Sequence, residues 1–149
     1  YAMGGRPTRD IVEIINGEKG LHLDPDAVAL SKKRHYLEVL DTVELLEEVA
    51  SFARENRGKI PMAVASGGSR VVVEKTLQSV GISDWFDEVV SSDEVENGKP
   101  APDIFLETAS RLGVAPEDCV VFEDGRAGIA AARAAGMEVV VVPTHLHLD

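Results

Sequence analysis

The hydrophobic pattern divides the chain into two parts of different texture. Residues 1–42 show apolar residues at helical spacing and contain no obvious strand. Pro7 opens the first predicted helix, and a turn signal ending at Gly17 closes it. Pro25 opens a second helix, because a proline in the first helical position after an Asp cap favours helix initiation. This part is therefore predicted to be all-helical.

A different pattern begins after a third predicted helix, VELLEEVASFAREN, which is expected to end at Arg57 and Gly58. The short runs MAVA, EVV, CVVF and EVVVV are apolar on both faces, and amphipathic helices separate them. Such runs are typical of a parallel sheet that helices cover on both sides. We expect an α/β fold, with a Rossmann-like parallel sheet in residues 43–149 and a helical piece in residues 1–42.

The composition of the chain excludes some classes of binding partner but says little about the fold. The formal charge of −11, from 26 acidic and 15 basic residues, argues against nucleic acid and against an anionic membrane surface. A small phosphorylated metabolite remains compatible, because a local cation cluster outweighs the global field at short range. No apolar run approaches the roughly 18 residues of a membrane span, and no signal peptide opens the chain. These features predict a cytoplasmic protein.

Polar residues collect where the predicted strands end. In an open parallel sheet, ligands bind beyond the carboxyl ends of the strands. The segments found there are SGGSR at 66–70, SSD at 91–93 with NGKP at 97–100, EDG at 123–125, and PTH at 143–145.

The first of these segments has the chemistry of a phosphate cradle. Ser66 offers a hydroxyl donor, and Gly67 and Gly68 let backbone N–H groups approach a ligand closely at the start of a helix. The alternative is an ordinary turn between a strand and a helix. That alternative stays open when the segment is considered by itself.

The remaining exits supply a cation and two acids. Lys99 has the charge to balance a transferring phosphoryl group, and Glu123 and Asp124 offer the oxygen ligands that Mg²⁺ prefers. Each also has a simpler interpretation: a solvated lysine before Pro100, and an acidic helix cap. The occurrence of all these groups at the exits of one sheet favours phosphate chemistry.

Three segments resemble motifs of a known family. MAVASGGS, NGKPAPDIF and CVVFEDGRAGIAAARAAGM are similar to the second, third and fourth motifs of the haloacid dehalogenase superfamily. They resemble most the branch of β-phosphoglucomutase and small-sugar phosphatases, such as fructose-1-phosphate phosphatase. The resemblance implies a Rossmann-like core, an α-helical cap, Mg²⁺ and phosphoryl transfer through an aspartyl-phosphate.

The resemblance also implies roles for individual positions. Ser66 would bind phosphate, Lys99 would balance the charges of nucleophile and phosphate, and Asp124, with Glu123 nearby, would anchor the magnesium ion. Residues 1–42 would form the later part of the cap and residues 43–149 the core.

In that cap, Arg6 and Arg9 of GGRPTRD fall where cap residues reach the substrate. The resemblance thus adds two substrate-binding candidates outside the strand exits.

Two departures from the family pattern affect these expectations. Gly125 stands where the family usually has a serine. The first motif, Asp-x-Asp-Gly-Thr, which holds the nucleophile and the general acid/base, does not occur in these 149 residues. Its strand would lie between those that end at Ser66 and Glu123, so both would lose a shared neighbour. We expect the chain to be part of a longer polypeptide, to pair with that N-terminal segment, and to have no turnover alone.

Other functions use some of the same residue types as a sugar phosphatase. A phosphomutase differs mainly in the lifetime of its phosphoenzyme, and a catalytically inactive binding module remains possible. A receiver domain is rejected because its carboxylates precede its hydroxyl, and a dinucleotide site because the G-x-G-x-x-G spacing is absent. His145 and His147 have the spacing of a metal pair, but a frayed terminus or processing scar is the preferred interpretation.

Overall fold

The computed structural model describes Met3 and residues 6–143 of the chain. Within these residues there are six α-helices, four β-strands and three short 3₁₀ helices. The helices are α1 (Thr8–Lys19), α2 (Pro25–Glu38), α3 (Glu47–Asn56), α4 (Arg70–Ser79), α5 (Asp103–Leu112) and α6 (Arg126–Ala134). The strands are β1 (Ala63–Ser66), β2 (Glu88–Ser91), β3 (Val120–Glu123) and β4 (Glu138–Val141). The 3₁₀ helices are Leu40–Thr42, Ser92–Glu94 and Pro116–Asp118.

The N-terminal part is helical, as its pattern predicts. Asp24 caps α2, because its Oδ1 accepts the N–H groups of Asp26 (2.9 Å) and Ala27 (3.3 Å). The predicted end of α1 at Gly17 is wrong. The helix continues to Gly20, whose φ of 62° lies in the left-handed region that favours glycine at a helix C-terminus.

The start of α3 also differs from its prediction. The apolar spacing suggested a helix from Val43, whereas the structure has a 3₁₀ turn over Leu40–Thr42 and begins α3 at Glu47. Ser79 Oγ donates to Leu40 O at 3.0 Å, which ties this turn to the end of α4. A tertiary contact thus fixes the connection in a non-helical form.

The four strands form two separate parallel pairs. β1 pairs with β2, with Ser66 opposite Ser91, and β3 pairs with β4, with Glu123 opposite Val141. The pattern predicted one sheet, but no backbone ladder joins β1 to β3 among the described residues. These are the two strands for which the family resemblance implied a shared neighbour.

The core lies between the strands and the helices that follow them. One buried cluster joins Val90 of β2, Ile104 and Phe105 of α5, and the alanines of α6, of which Ala131 and Ala132 are fully buried. Small side chains let α6 approach the sheet closely, as the run AAARAA predicts. A second cluster contains Val73, Leu77 and Ile82, with Trp85 and Phe86 packed against it. Of the helices in the part of the chain described, none is long and apolar enough to span a bilayer.

Candidate functional site

Lys99 lies buried between the carboxyl ends of β1 and β3. Its side chain is only 5% exposed, and its Nζ donates to Ala65 O at 3.2 Å and to Glu123 Oε2 at 2.7 Å. The same ammonium lies 4.7 Å from the ring centroid of Phe105. One cation therefore joins two strand ends that no backbone hydrogen bond connects. The structure thus brings together the end of β1 at Ser66 and the end of β3 at Glu123.

The two acids at the end of β3 are in different environments. Glu123 is largely buried: its Oε1 accepts the N–H groups of Asp124 (3.1 Å) and Gly125 (2.9 Å), and its Oε2 accepts from Lys99. Asp124 is exposed at the strand exit. Both carboxylate oxygens of Glu123 therefore accept hydrogen bonds, and Asp124 is the more exposed of the two residues.

Their pKa values move in opposite directions. Burial alone would raise the pKa of Glu123, but the charge and hydrogen bond of Lys99 hold it below its usual range. The pKa of Asp124 is raised, first by burial and then by the neighbouring Glu123 carboxylate. At neutral pH this environment favours an ionised Glu123 paired with Lys99.

Gly128 provides the space that the Glu123 side chain occupies. A Cβ at position 128 would lie 2.0 Å from Glu123 Oε2 and 2.2 Å from its Cδ. The first turn of α6 therefore has to lack a side chain where Glu123 crosses it. This requirement is steric, because Gly128 does not have a positive φ.

Ser66 forms the turn that was predicted as a phosphate cradle. Its Oγ accepts the N–H of Gly68 at 3.1 Å, which leaves the hydroxyl proton available to donate outward. Because the N–H of Gly68 bonds to Ser66, a contact between that N–H and a phosphate remains a prediction. The contact of Gly67 with substrate also remains a prediction.

The exit of β2 holds this turn in place. Ser92 donates both its N–H (3.2 Å) and its Oγ–H (3.1 Å) to Gly68 O, and Asp93 Oδ2 accepts the N–H of Arg70 at 2.9 Å. Asp93 thus caps α4, while the buried Oγ of Ser69, the residue in the N-cap position, has no hydrogen-bond partner among the residues that the structure describes. The SSD segment was noticed in the sequence, but this role is visible only once β1 and β2 are paired in register.

A charged network lies behind the same exit. Glu94 Oε1 accepts from Arg111 Nη1 at 2.7 Å, and Glu94 Oε2 accepts the N–H and Oγ–H of buried Ser91, each at 2.8 Å. The hydrogen bond from Arg111, followed by the backbone bond from Ser91, lowers the pKa of Glu94 to about 2. This network joins β2 to α5, the helix that follows the Lys99 loop.

The substrate contacts of Arg6 and Arg9 remain predictions, and in the structure Arg9 forms an ion pair within the cap. Arg9 Nη1 pairs with Asp26 Oδ1 at 3.0 Å on the exposed face of the helical pair. No hydrogen bond or ion pair of the described residues joins Arg6 or Arg9 to the strand exits. Instead Pro7, between the two arginines, lies directly against Gly98.

The predicted histidine pair, His145 and His147, lies outside the described residues. Within the residues that are described, no group of three or more His, Cys, Asp or Glu side chains could hold a metal ion. At the end of β3, Asp124 is the more accessible of the two described acids.

Sequence reasoning missed the Lys99–Glu123 ion pair, the Ser92 and Asp93 clamp, and the space at Gly128. From the sequence, either Glu123 or Asp124 could pair with Lys99. Only the tertiary arrangement shows that Glu123 does so. The spacing from Glu123 to Gly128 was a usable signal, since it places a glycine in the first turn of the following helix.

The chain is similar in sequence to known hydrolases. A model of haloacid dehalogenase-like hydrolases matches residues 5–136. Fructose-1-phosphate phosphatase YqaB of Escherichia coli is 44% identical over 142 residues, covering 95% of this chain and 75% of that protein. A phosphorylated carbohydrates phosphatase of Thermotoga maritima is 37% identical over 114 residues, covering 76% of this chain and 52% of that protein.

Solved structures share the fold. β-Phosphoglucomutase of Clostridium difficile superimposes with a TM-score of 0.82 at 26% identity, covering 98% of this chain and 69% of that one. CbbY of Rhodobacter sphaeroides, in complex with phosphate, superimposes with a TM-score of 0.81 at 24% identity, covering 97% of this chain and 69% of that one. At this identity the likeness supports the fold and nothing further. The predicted α/β, Rossmann-like class is confirmed, and the chain belongs to the haloacid dehalogenase-like hydrolase family.

Proposed function

We propose that this chain carries the phosphate-binding, charge-balancing and metal-binding residues of a phosphatase acting on small phosphorylated sugars. The observation that carries the proposal is the buried Lys99 ammonium between Ala65 O and Glu123, beside the exits that end in Ser66 and Asp124. A buried cation at the carboxyl edge of parallel strands suits an anionic ligand. Relatives named as sugar-phosphate phosphatases support the same class of substrate.

Each exit residue has a distinct part in this proposal. Ser66 donates its hydroxyl proton to a phosphate oxygen while Gly68 occupies its acceptor side. Lys99 balances negative charge that develops on the phosphoryl group. Glu123, whose two oxygens are engaged, holds the Lys99 ammonium in place, and Asp124 supplies an oxygen ligand for the metal. That Glu123 also binds the metal, as the family resemblance implies, stays a prediction.

The donor chemistry at this edge fits Mg²⁺ as part of a ligand set. Asp124 offers a hard, exposed carboxylate oxygen, and Mg²⁺ usually combines one or two carboxylates with water and substrate phosphate. When bound, the ion would neutralise charge on the phosphate oxygens. The remaining protein ligand would come from residues that are not among these 149.

The proposal also places the nucleophile outside these 149 residues. We propose that an Asp-x-Asp-Gly-Thr segment of the parent polypeptide supplies the carboxylate that forms the aspartyl-phosphate, and that these 149 residues alone have no turnover. This chain would still hold the phosphate by Ser66 and Lys99. Hydrolysis of sugar phosphates by the pure 149-residue chain would refute the assignment of the nucleophile to another segment.

The test uses fructose 1-phosphate and a polypeptide that carries this chain together with that segment. Phosphate release in the presence of Mg²⁺ is expected, and Asp124→Asn should reduce kcat/KM by about a hundredfold or more. Asp118→Asn, at an acid in the 3₁₀ turn before β3, is the matched control and should leave the rate unchanged. Equal loss in both variants, or no loss in Asp124→Asn, would discard the metal assignment.

A phosphomutase is the second candidate, favoured by the fold shared with β-phosphoglucomutase. The two activities differ in the fate of the phosphoryl group. Incubation of the same polypeptide with β-glucose 1-phosphate and its bisphosphate separates them. Isomerised sugar phosphate indicates a mutase, whereas free phosphate indicates the phosphatase that we propose.

A further inference from the structure

The first turn of α1 rests on the loop that presents Lys99. A Cβ at Gly98 would lie 2.5 Å from Pro7 Cγ, 2.8 Å from Pro7 Cδ and 3.5 Å from Asp10 Oδ2. Gly98 does not have a positive φ, so its backbone conformation does not require glycine. The absence of a side chain at this position is therefore explained by the close approach of α1.

The loop on the core side of this contact is held at both neighbours of Gly98. Asn97 donates its N–H (3.1 Å) and its Nδ2 (2.9 Å) to Asp103 Oδ2, at the start of α5. Lys99 is fixed by Glu123 and by Ala65 O. The loop has little freedom to retreat from an added methyl group, so α1 would have to move.

The helical pair is also held at a second place, away from the strand exits. Tyr36 OH of α2 lies 3.1 Å from Thr76 Oγ1 of α4, and Lys32 Nζ of α2 donates to Thr8 Oγ1 of α1 at 3.2 Å. The Tyr36–Thr76 contact attaches α2 to the core, whereas the Lys32–Thr8 bond joins α1 to α2. The contact between Pro7 and Gly98 is the one adjacent to the candidate site.

We propose that Gly98 is a positioning residue. Pro7 packs against the bare backbone of Gly98, and this contact, called the seat below, sets the distance between the helical cap and the Lys99 loop. Pro7 caps α1 with a rigid ring, which cannot rotate away from a new side chain as a flexible residue could. The consequence for substrate rests on the proposed function, because Arg6 and Arg9 flank this docking point. The docking itself is a property of the chain without substrate.

Amide hydrogen exchange of the same polypeptide as in the phosphatase assay, followed in the part that this chain contributes, tests the docking of Pro7 on Gly98. In Gly98→Ala, exchange in α1 should accelerate by roughly tenfold or more, while α5 and α6 keep their protection. Removing the ring in the double variant Pro7→Ala/Gly98→Ala should restore much of the α1 protection. Gly17→Ala is the matched control, since that exposed glycine in α1 has nothing within 4 Å of an added Cβ.

The outcomes are distinct from those of the phosphatase assay. Three results would contradict the proposed role of Gly98. These are unchanged α1 protection in Gly98→Ala, an equal loss of protection throughout the core, and no recovery of α1 protection when Pro7→Ala is added. A chain that shows the exchange pattern but belongs to an inactive polypeptide would refute the proposed function and leave the seat standing. Loss in α1 alone, with rescue, supports the proposal.

Discussion

The Lys99–Glu123 ion pair is the feature on which the geometry of the exits depends. Both side chains are largely buried, and each compensates the charge of the other. Removing one partner leaves an uncompensated charge in a poorly solvated place, which costs far more than the net stabilisation the pair provides. This asymmetry makes the pair open to a direct experimental test.

Lys99→Met should lower the free energy of unfolding by about 3 to 5 kcal/mol, because Glu123 keeps its burial and loses its counter-ion. Urea denaturation measures the change. Lys75→Met, at an exposed lysine of α4, should stay within about 0.5 kcal/mol of the wild type. In Lys99→Met/Glu123→Gln part of the loss should return, and a double variant no better than Lys99→Met would contradict the pairing.

Gly128→Ala should be destabilising by about 1 to 3 kcal/mol, since the new methyl group overlaps the anchored Glu123 carboxylate. An alanine normally stabilises a helix relative to glycine, so a loss has to come from this contact. Thermal unfolding compares it with Gly17→Ala, for which no such overlap exists. Equal behaviour of the two variants would show that Glu123 does not need the space.

Among the elements, sequence reasoning succeeded where a local signal acts alone. Asp24 before Pro25 fixed the start of α2, and the alanine run predicted the close packing of α6. It failed where a distant contact decides. The Leu40 turn is held by Ser79, and α3 therefore begins later than its apolar spacing suggests.

The candidate site shows the same division. Ser66, Lys99 and Asp124 were found because each directly follows or lies beyond an apolar run. Which acid pairs with the lysine was not predictable, because adjacent residues of a strand exit differ only in the direction of their side chains.

The Glu94 network joins β2 to α5 and gives the stability of the fold a defined pH dependence. The pKa of Glu94 is lowered to about 2, so its contribution is present above its ordinary pKa and is lost as the pH falls through 2. We expect Glu94→Gln to cost about 1 kcal/mol at pH 7, allowing for solvent screening. That difference should shrink between pH 5 and pH 2 in urea titrations. A constant difference across this range would contradict the role of the Arg111 pair.

The two parallel pairs of strands are connected at their carboxyl ends by side chains, not by a ladder. Lys99 reaches both β1 and β3, and the β2 exit clamps the Ser66 turn. The ends of β1 and β3 therefore share one cation, and the end of β2 supports the Ser66 turn beside it. The account depends on these exits acting together toward a single phosphate and metal ion.

A titration of the ¹⁵N-labelled 149-residue chain with inorganic phosphate and Mg²⁺, followed by amide chemical shifts, tests that joint action. The account predicts that the amides of Ser66, Lys99 and Asp124 shift together with one saturation curve. It also predicts that Asp124→Asn weakens the effect of Mg²⁺, whereas Asp118→Asn does not. Shifts confined to one exit, shifts scattered over distant surfaces, or no saturable response would contradict the account.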